Sequence, residues 1–314
     1  MNFQISSEYA KLKDWVTIHY NLPINSLQLH REMIGHVYFA RTNNHKFVIK
    51  LYRAFHRAQA IQSLEIIQYL RLNEYPVVKP ILTQNKELFS DIIIENEPRI
   101  LAVFEYIEGK VPELSNEIQK IGKQVRQLHD LMEKYPRSLI TRGKNFYIDR
   151  FIDLMRQKNY SADKIDWFEQ FGRFLWETIE QLPTGFCHGD LHTGNMFKTE
   201  AGKFMLFDFD IASKVHPVID FATICDATNF NALEKNAFEN TQKRVDAFLL
   251  GYGKSLSPLE LRGLFYFIAV RHFELIATIA EARGHNKISM EFLDQQYKWL
   301  KKWRVLCIQK FHDT

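Results

Sequence analysis

The sequence predicts an α+β protein with two lobes, in which strands come first along the chain and helices follow. Residues 1–103 hold a short amphipathic helix near 8–20, one further helical segment and about five strand-like runs. A grouping of strands and then helices favours α+β over a doubly wound parallel sheet. The length of 314 residues also favours two lobes. We therefore expect a strand-rich lobe at 1–103, a hinge at 104–110 and a helical lobe at 111–314.

The composition is typical of a globular protein with large apolar cores. Hydrophobic residues make up 46% of the chain, and the formal net charge is +4, which does not require a nucleic-acid partner. The most apolar helical run, 264–282, contains charged residues and is expected to be a buried core helix rather than a membrane span. The first residues lack the features of a signal peptide. We expect a cytoplasmic protein without a membrane partner, and its oligomeric state is not indicated.

A strongly β-prone run at 45–52 carries Lys50 in its interior. Fifteen residues further along, Glu65 lies in the run 58–70, whose apolar residues recur with a helical period. A strand lysine that is oriented by a helix glutamate binds nucleotide phosphates in kinases. We predict this pair, although an edge-strand lysine and a solvated helix charge would also fit these residues.

The segment before this strand contains a single glycine, Gly35, followed by His36. A glycine permits a tight turn and a close approach of backbone N–H groups to an anion. Any hairpin has the same requirement. The sequence therefore leaves Gly35 and His36 equally consistent with a phosphate-binding loop and with an ordinary turn.

The stretch 187–195, followed by a predicted hairpin with a strand at 203–208, contains the residue types needed for phosphoryl transfer. Asp190 could accept the proton of an attacking hydroxyl, and Asn195 and Asp208 could hold Mg²⁺ against nucleotide phosphates. The spacing of five between Asp190 and Asn195 is that of the protein-kinase catalytic loop. On a strand, Asp210 would share a face with Asp208, which is easiest to explain if a cation lies nearby. Each residue alone would fit a turn or a cap, but their order and spacing favour catalysis.

The pattern H-G-D-L-H-x-G-N at 188–195, with F-D-F-D at 207–210, resembles the catalytic signature of the aminoglycoside phosphotransferase and choline kinase family. These are small-molecule kinases with a protein-kinase-like fold. The resemblance implies that Asp190 is the catalytic base, that Asn195 and Asp208 are metal ligands, and that the donor is ATP or GTP with Mg²⁺.

Other positions extend this resemblance or depart from it. It implies that His188 orders the loop and that Asp220, in a P-x-x-D-x-A segment, braces it, although an acid in a first helical turn is also favourable by itself. Thr193 stands where the family commonly has proline. His192 occupies the place where serine/threonine protein kinases carry lysine. Neither departure affects the predicted base or ligands.

The run that ends at 105–109 resembles the hinge strand of these kinases. The resemblance implies that backbone groups of Glu105 and Ile107 bind adenine, while an ordinary buried strand is also compatible. The family often has a reduced phosphate loop, as at Gly35.

Ionisable residues within the apolar helical runs after 220 are the candidates for binding the acceptor. Such groups must be paired or must face a cleft. Asp226 and Glu274 would suit a cationic acceptor, whereas Arg271 would suit a neutral or anionic one. An Arg271–Glu274 pair, three residues apart on a helix, would equally serve a structural purpose.

The predicted function is phosphoryl transfer from ATP or GTP to a hydroxyl of a small molecule, such as an aminoglycoside, an amino alcohol, homoserine or a sugar derivative. A protein kinase and a nucleotide-binding pseudokinase are the alternatives. The first is disfavoured because the chain has no D-F-G, no A-P-E and no activation-loop-sized insert between 208 and 220. The second is disfavoured because every expected catalytic position is filled.

Overall fold

The structure, a computed structural model, describes residues 2–33 and 35–311, with side chains from residue 8 onward. The chain divides into two compact units. The first unit comprises Met1–Val111 and Met196–Ile211, and the second comprises Pro112–Asn195 and Ala212–Thr314.

Most strands belong to the first part of the chain, as the sequence predicts. They are β1 (Ser26–Glu32), β2 (Gly35–Arg41), β3 (Lys46–Tyr52), β4 (Pro80–Ile81), β5 (Ser90–Ile94), β6 (Glu97–Glu105), β7 (Gly185–Cys187), β8 (Met196–Lys198), β9 (Phe204–Leu206) and β10 (Ser213–Val215). The first six form one antiparallel sheet in the order β1-β2-β3-β6-β4, with β5 also paired to β6. The strands β8 and β9 form a separate hairpin, and β7 pairs with β10.

The helices are concentrated in the second part of the chain. They are α1 (Asn2–Tyr20), α2 (Arg57–Leu72), α3 (Leu114–Met132), α4 (Arg150–Gln157), α5 (Ala162–Ile179), α6 (Val218–Cys225), α7 (Ala237–Tyr252), α8 (Pro258–Arg283) and α9 (Met290–Phe311). Short 3-10 turns lie at Ala54–His56, Thr193–Asn195 and His285–Lys287, and a π-helical turn precedes α4 at Asn145–Asp149.

The division of the chain differs from the predicted one, in which all residues from 111 onward formed the second lobe. The β8–β9 hairpin belongs to the first unit because its backbone bonds to that unit on two sides. The N–H of Val78 donates to the carbonyl of Leu206 at 2.9 Å. Lys110 and Lys198 exchange N–H···O bonds of 3.0 and 2.8 Å. Sequence periodicity cannot reveal such pairing, since the partners are far apart along the chain.

The alternation of β3 places Lys50 on the face of the sheet opposite Phe47, Ile49 and Leu51. Phe47, Ile49 and Leu51 are buried in a core that also contains residues of α1, such as Leu12. Because successive side chains of a strand point to opposite faces, Lys50 projects away from this α1 side. Its strand is central, lying between β2 and β6, and this rules out the alternative of an edge-strand lysine.

In the second unit, α8 is the central helix. Its most apolar 18-residue window has a mean hydropathy of 1.4 and passes a length and composition test for a membrane span, but 78% of that window is buried inside the protein. The expectation of a buried core helix is thus confirmed. The helices α3 and α7 can approach closely because residue 251 is a glycine. A Cβ at this position would lie only 1.8 Å from the carbonyl oxygen of Gln119.

Candidate active site

In the first unit, Lys50 and two aspartates after β9 form a buried ion-pair cluster. The Lys50 Nζ lies 2.7 Å from Asp208 Oδ1 and 2.6 Å from Asp210 Oδ2. The hydroxyl of Ser63, on α2, donates to Asp210 Oδ1 at 3.2 Å. The sequence predicted Lys50, Asp208 and the proximity of Asp210, but Ser63 was missed because a serine on a helix carries no distinguishing signal.

The backbone around Asp208 differs from the predicted strand. β9 ends at Leu206, and Asp208 has a φ of +66°, in the left-handed region that non-glycine residues rarely adopt. The prediction that Asp208 and Asp210 share one face of a strand was therefore wrong in its geometry. The strained turn nevertheless brings both carboxylates to Lys50, and strain of this kind is characteristic of functional positions.

Burial and charge determine the ionisation of this cluster. Burial alone would lower the pKa of Lys50, but Asp208 and Asp210 hold it well above its ordinary value. Burial also raises the pKa of Asp210 to about 6, against the opposing attraction of Lys50. Asp208 is the more accessible carboxylate, with 28% of its side chain exposed against 6% for Asp210. It is therefore the one more open to a ligand.

The ion pairs that Lys50 forms with described residues are those with Asp208 and Asp210, and the predicted pair with Glu65 is not one of them. Glu65 lies half-buried on α2, two residues beyond Ser63. Asp208 and Asp210 are thus the carboxylates that contact Lys50. A role of Glu65 in orienting Lys50 towards phosphates stays a prediction.

The pairing of strands β2 and β3 by itself requires a glycine at position 35. It begins β2 opposite Tyr52, and a Cβ there would lie 2.6 Å from the backbone oxygen of Leu51. The neighbouring His36 contacts Glu8 and Glu32, at 3.5 and 3.3 Å. A glycine is thus needed for sheet pairing whether or not it also meets a phosphate, and its nucleotide role stays a prediction.

The hinge residues lie at the end of β6. The N–H of Glu105 donates to the carbonyl of Lys79 at 2.9 Å, and that of Tyr106 donates to the carbonyl of Lys46 at 3.3 Å. By contrast, the described chain offers no backbone hydrogen-bond acceptor to the N–H of Ile107. This donor is free for a ligand, which fits its predicted role in binding adenine.

In the second unit, the loop 188–195 is held by Asp220, which is completely buried in the first turn of α6. Its carboxylate accepts the N–H of His188 at 2.8 Å and that of Gly189 at 2.9 Å. His129 Nε2 lies 3.1 Å from Asp220, and the other ring nitrogen lies 3.0 Å from the hydroxyl of Tyr252. Asp220 thus braces the loop, as the resemblance implied.

We expect Asp220→Asn to lower the free energy of unfolding by about 1–3 kcal/mol, because an amide cannot accept both backbone N–H groups with its single oxygen. Chemical unfolding followed by circular dichroism measures this change. The exposed Asp246 on α7 provides a matched control, whose substitution by asparagine should cost less than about 0.5 kcal/mol. Equal effects of the two substitutions would refute the bracing role.

Asp190 and Asn195 contact each other at the end of this loop. The carboxamide Nδ2 of Asn195 donates to the backbone oxygen of Asp190 at 2.9 Å and to its Oδ2 at 3.0 Å. The carboxamide oxygen of Asn195 accepts no hydrogen bond from the described residues. His192 Nε2 lies 3.5 Å from the Asp190 carboxylate. Asn195 therefore orients Asp190 and retains an oxygen for a cation.

Arg271, on α8, contacts Asp190 directly. Its Nη2 forms an ion pair with Asp190 Oδ1, and its Nη1 lies 3.0 Å from Glu274 Oε2. Glu274 is buried and also accepts the hydroxyl of Thr278 at 2.9 Å. The Arg271–Glu274 pair is therefore real, and its structural purpose is to hold a guanidinium against Asp190. Sequence reasoning found both residues but not this contact, which spans 81 residues.

This contact determines the charge of Asp190. Burial alone would raise its pKa, but the Arg271 guanidinium outweighs burial and holds the pKa well below the usual range. Asp190 is thus ionised at neutral pH and is a weak base. Such a group can orient a hydroxyl and can accept its proton late in the reaction.

The third acceptor candidate, Asp226, lies at the end of α6. Its Oδ1 accepts the N–H of Thr228 at 2.7 Å. Burial raises the pKa of Asp226, whereas Arg244 and Arg271 are close enough to oppose this rise. Its carboxylate forms no ion pair within the described part of the chain. The structure therefore places Asp226 within electrostatic range of Arg244 and Arg271.

The candidate metal ligands supply the oxygen atoms that Mg²⁺ prefers, from the carboxylate of Asp208 and the amide of Asn195. Residues 2–33 and 35–311 contain no group of three or more His, Cys, Asp or Glu side chains that could hold a metal ion by themselves. Mg²⁺ is usually bound by one or two carboxylates together with substrate phosphates. Each of these two oxygen donors is therefore of a type that suits Mg²⁺.

Comparison with known proteins gives consistent matches. Residues 27–258 match the phosphotransferase enzyme family. An uncharacterized protein of Deinococcus radiodurans is 24% identical over 304 residues, covering 90% of this chain and 86% of the relative. Among solved structures, a microcompartment-associated aminopropanol kinase superimposes with a TM-score of 0.77 at 16% identity, over 95% of this chain and 98% of that one. An amicoumacin kinase in complex with AMP-PNP and Ca²⁺ gives 0.76 at 18% identity, over 96% of each chain. The structural likenesses confirm the predicted kinase-like fold.

Proposed function

The chain belongs to the phosphotransferase enzyme family, and we propose that it transfers the γ-phosphoryl group of ATP or GTP to a hydroxyl of a small molecule. The observation that carries this proposal is the environment of Asp190. Its carboxylate is ionised, oriented by Asn195 and paired with Arg271 at the end of a braced loop. The cytoplasm is the proposed location.

The first unit would bind the nucleotide. Lys50 stays charged because two carboxylates hold it, so it can pair with phosphate oxygens when the nucleotide binds. Gly35 and Glu65 are proposed to assist at the phosphates. Backbone groups of Glu105 and Ile107 would bind the base, since the N–H of Ile107 has no backbone acceptor within the described chain.

Asp208 and Asn195 are the proposed ligands of Mg²⁺. The bound ion would neutralise charge on the β- and γ-phosphates. Asp208 suits this role because it is more exposed than Asp210. Asp210, which Ser63 and Lys50 both contact, would support the turn instead.

In the reaction, the acceptor oxygen forms a bond to the γ-phosphorus while the bond from that phosphorus to the β–γ bridging oxygen breaks. The nucleoside diphosphate leaves with the electron pair of that bond, and the hydroxyl proton passes to Asp190. The transition state of phosphoryl transfer is loose, so little proton transfer is needed before it. A carboxylate of low pKa suits such a reaction, because the carboxylate mainly has to orient the acceptor hydroxyl and to accept its proton late.

We expect Arg271→Gln to lower kcat on the order of 10²-fold, because Asp190 loses the group that orients it. The acidic limb of the kcat profile should also move to higher pH. The sign follows from the pKa of Asp190, which Arg271 lowers and which burial would raise once the guanidinium is lost. Turnover measured between pH 4 and 9 tests this prediction.

Arg271→Lys retains the positive charge and is the matched control, for which the acidic limb should stay near its original pH. Glu274→Gln should have a smaller effect of the same sign, since Glu274 acts through Arg271. The KM for ATP should change little in all three variants. If neither kcat nor the acceptor KM changes in Arg271→Gln, Arg271 belongs only to the internal packing of the unit.

The proposed function is tested by a coupled assay of nucleoside diphosphate release, with ATP and GTP as donors. The acceptors are amino alcohols, aminoglycosides, sugars and hydroxy amino acids. We expect at least one acceptor to stimulate release above the rate of Asp190→Asn. If no acceptor does so with either donor, the proposal is wrong.

A further inference from the structure

Arg142 lies on a segment that runs beside the strand pair leading into the catalytic loop. The N–H of Lys214, on β10, donates to the carbonyl of Ile140 at 2.8 Å, and the N–H of Arg142 donates to the carbonyl of Lys214 at 3.5 Å. Lys214 pairs with Phe186 on β7, which ends at Cys187, directly before the loop. The backbone of Arg142 is thus one strand removed from the chain that carries Asp190.

The guanidinium of Arg142 is stacked on an aromatic ring and is not ion-paired with any described side chain. Its carbon Cζ lies 3.8 Å from the ring centroid of Phe146, so one face of the group is stacked. Its Nε is buried without a hydrogen-bond partner. Among the described residues, no side chain forms an ion pair with it. A cation in this position carries a desolvation cost that no direct ion pair among the described residues offsets.

The nearby arginines differ from Arg142 in this respect. Arg150 stacks on the same ring of Phe146 at 4.1 Å, but its Nη1 lies 2.6 Å from Glu281 and its Nη2 lies 3.2 Å from the hydroxyl of Thr278. Arg271 is held between Asp190 and Glu274. Each of these two guanidinium groups therefore has an anionic partner.

Arg142 is also connected to the catalytic carboxylate by a chain of side-chain contacts. Arg142 and Arg150 stack on the same ring of Phe146, and Nη2 of Arg150 lies 4.0 Å from Glu274 Oε1. Glu274 contacts Arg271, which contacts Asp190. The Arg142 guanidinium and the proposed base are therefore connected through the same buried Arg271–Glu274 pair.

We propose that Arg142 binds a carboxylate of the acceptor, so that the substrate is a hydroxy acid or a hydroxy amino acid. This inference rests on the proposed function and names the acceptor class for that site. Because Nε is buried, the edge formed by Nη1 and Nη2 is the one that a ligand can meet, and this edge matches the two oxygens of a carboxylate. The acceptor would supply the negative charge that Arg142 lacks in the protein.

A matched set of three compounds tests the proposal. L-homoserine, 3-aminopropan-1-ol and 4-hydroxybutanoate share a primary hydroxyl and differ in whether they carry an ammonium group, a carboxylate or both. Serine, ethanolamine and 3-hydroxypropanoate form the same set with a shorter chain. We expect the carboxylates to bind the whole chain at least about 10-fold more tightly than the corresponding amino alcohols, as measured by calorimetry.

In Arg142→Gln, affinity for the carboxylates should fall by about 10–100-fold, while affinity for the amino alcohols should stay within about threefold. Arg156→Gln is the control, since Arg156 is exposed and is ion-paired with Asp153 and Glu169. It should change none of these affinities. Thermal melting establishes that both variants fold, and the preference of the parent protein tests the proposal without any variant.

A preference of the parent protein for the amino alcohols would overturn the inference. So would an equal loss of all affinities in Arg142→Gln, or the absence of saturable binding by every carboxylate in the set. These outcomes are distinct from failure of the proposed function, because binding is measured without turnover. Tight carboxylate binding without phosphoryl transfer would refute the kinase proposal and leave the role of Arg142 intact.

Discussion

Replacement of Asp190 by asparagine is expected to lower kcat by roughly 10²–10⁴-fold, while the affinity for nucleotide changes little. Asparagine retains the shape of the side chain but cannot accept the hydroxyl proton. It also loses the ion pair with Arg271 and changes the hydrogen bond from Asn195. Because these contacts all lie in the second unit, we expect the nucleotide-binding residues of the first unit to be unaffected.

Steady-state turnover and calorimetric titration of ATP, measured on the same preparation, distinguish the two effects. Asp246→Asn, on the exposed face of α7, serves again as the matched control and should retain full turnover. Turnover of Asp190→Asn within about threefold of the parent protein would contradict the assignment of the base. A large loss of ATP affinity would indicate that the variant has altered more than the reacting hydroxyl.

Asp208→Ala should abolish Mg²⁺-dependent nucleotide binding and activity, whereas Asp210→Ala should have a milder effect on both. The family resemblance makes the first aspartate the metal ligand, and the greater exposure of Asp208 agrees with this assignment. Asp210 is buried and accepts the hydroxyl of Ser63. Its loss should therefore reduce stability more than the loss of Asp208 does, by about 1–3 kcal/mol for the unsatisfied partner.

Titration of ATP with and without Mg²⁺ into both variants measures the first effect, and thermal melting measures the second. Because Lys50 retains one carboxylate partner in either variant, we expect it to stay charged in both. A difference in nucleotide binding between the variants would therefore not come from the charge of Lys50. If Asp210→Ala abolishes Mg²⁺-dependent binding and Asp208→Ala does not, the two carboxylates have been assigned in the wrong order.

The sequence by itself determined the elements and the local motif. The β-prone residues of one run predicted β3, and the helical period of apolar residues in the next predicted α2, because both signals lie within the segment that forms the element. Asp190 and Asn195 were recognisable together because they are five residues apart and contact each other within one loop. Local spacing is sufficient where the contact itself is local.

Only the tertiary structure decided which charges meet. Lys50 pairs with Asp208 across 158 residues, and Ser63 contacts Asp210 from α2. The left-handed backbone of Asp208 has no signature in a run of strand-forming residues. Such contacts depend on how the surfaces of different elements pack, and periodicity within one element carries no information about this.

The same reason explains why the sequence did not reveal the pairing of Arg271 with Asp190. The sequence showed that a charged residue within the apolar helix α8 must be paired or face a cleft, but it left the partner open. The fold brings Arg271 to the catalytic loop across 81 residues, and among the described residues it gives Arg142 no ion-pair partner. Segment patterns determined the chemistry that the chain carries, whereas the packing of α8 against the loop decided the charge of the site.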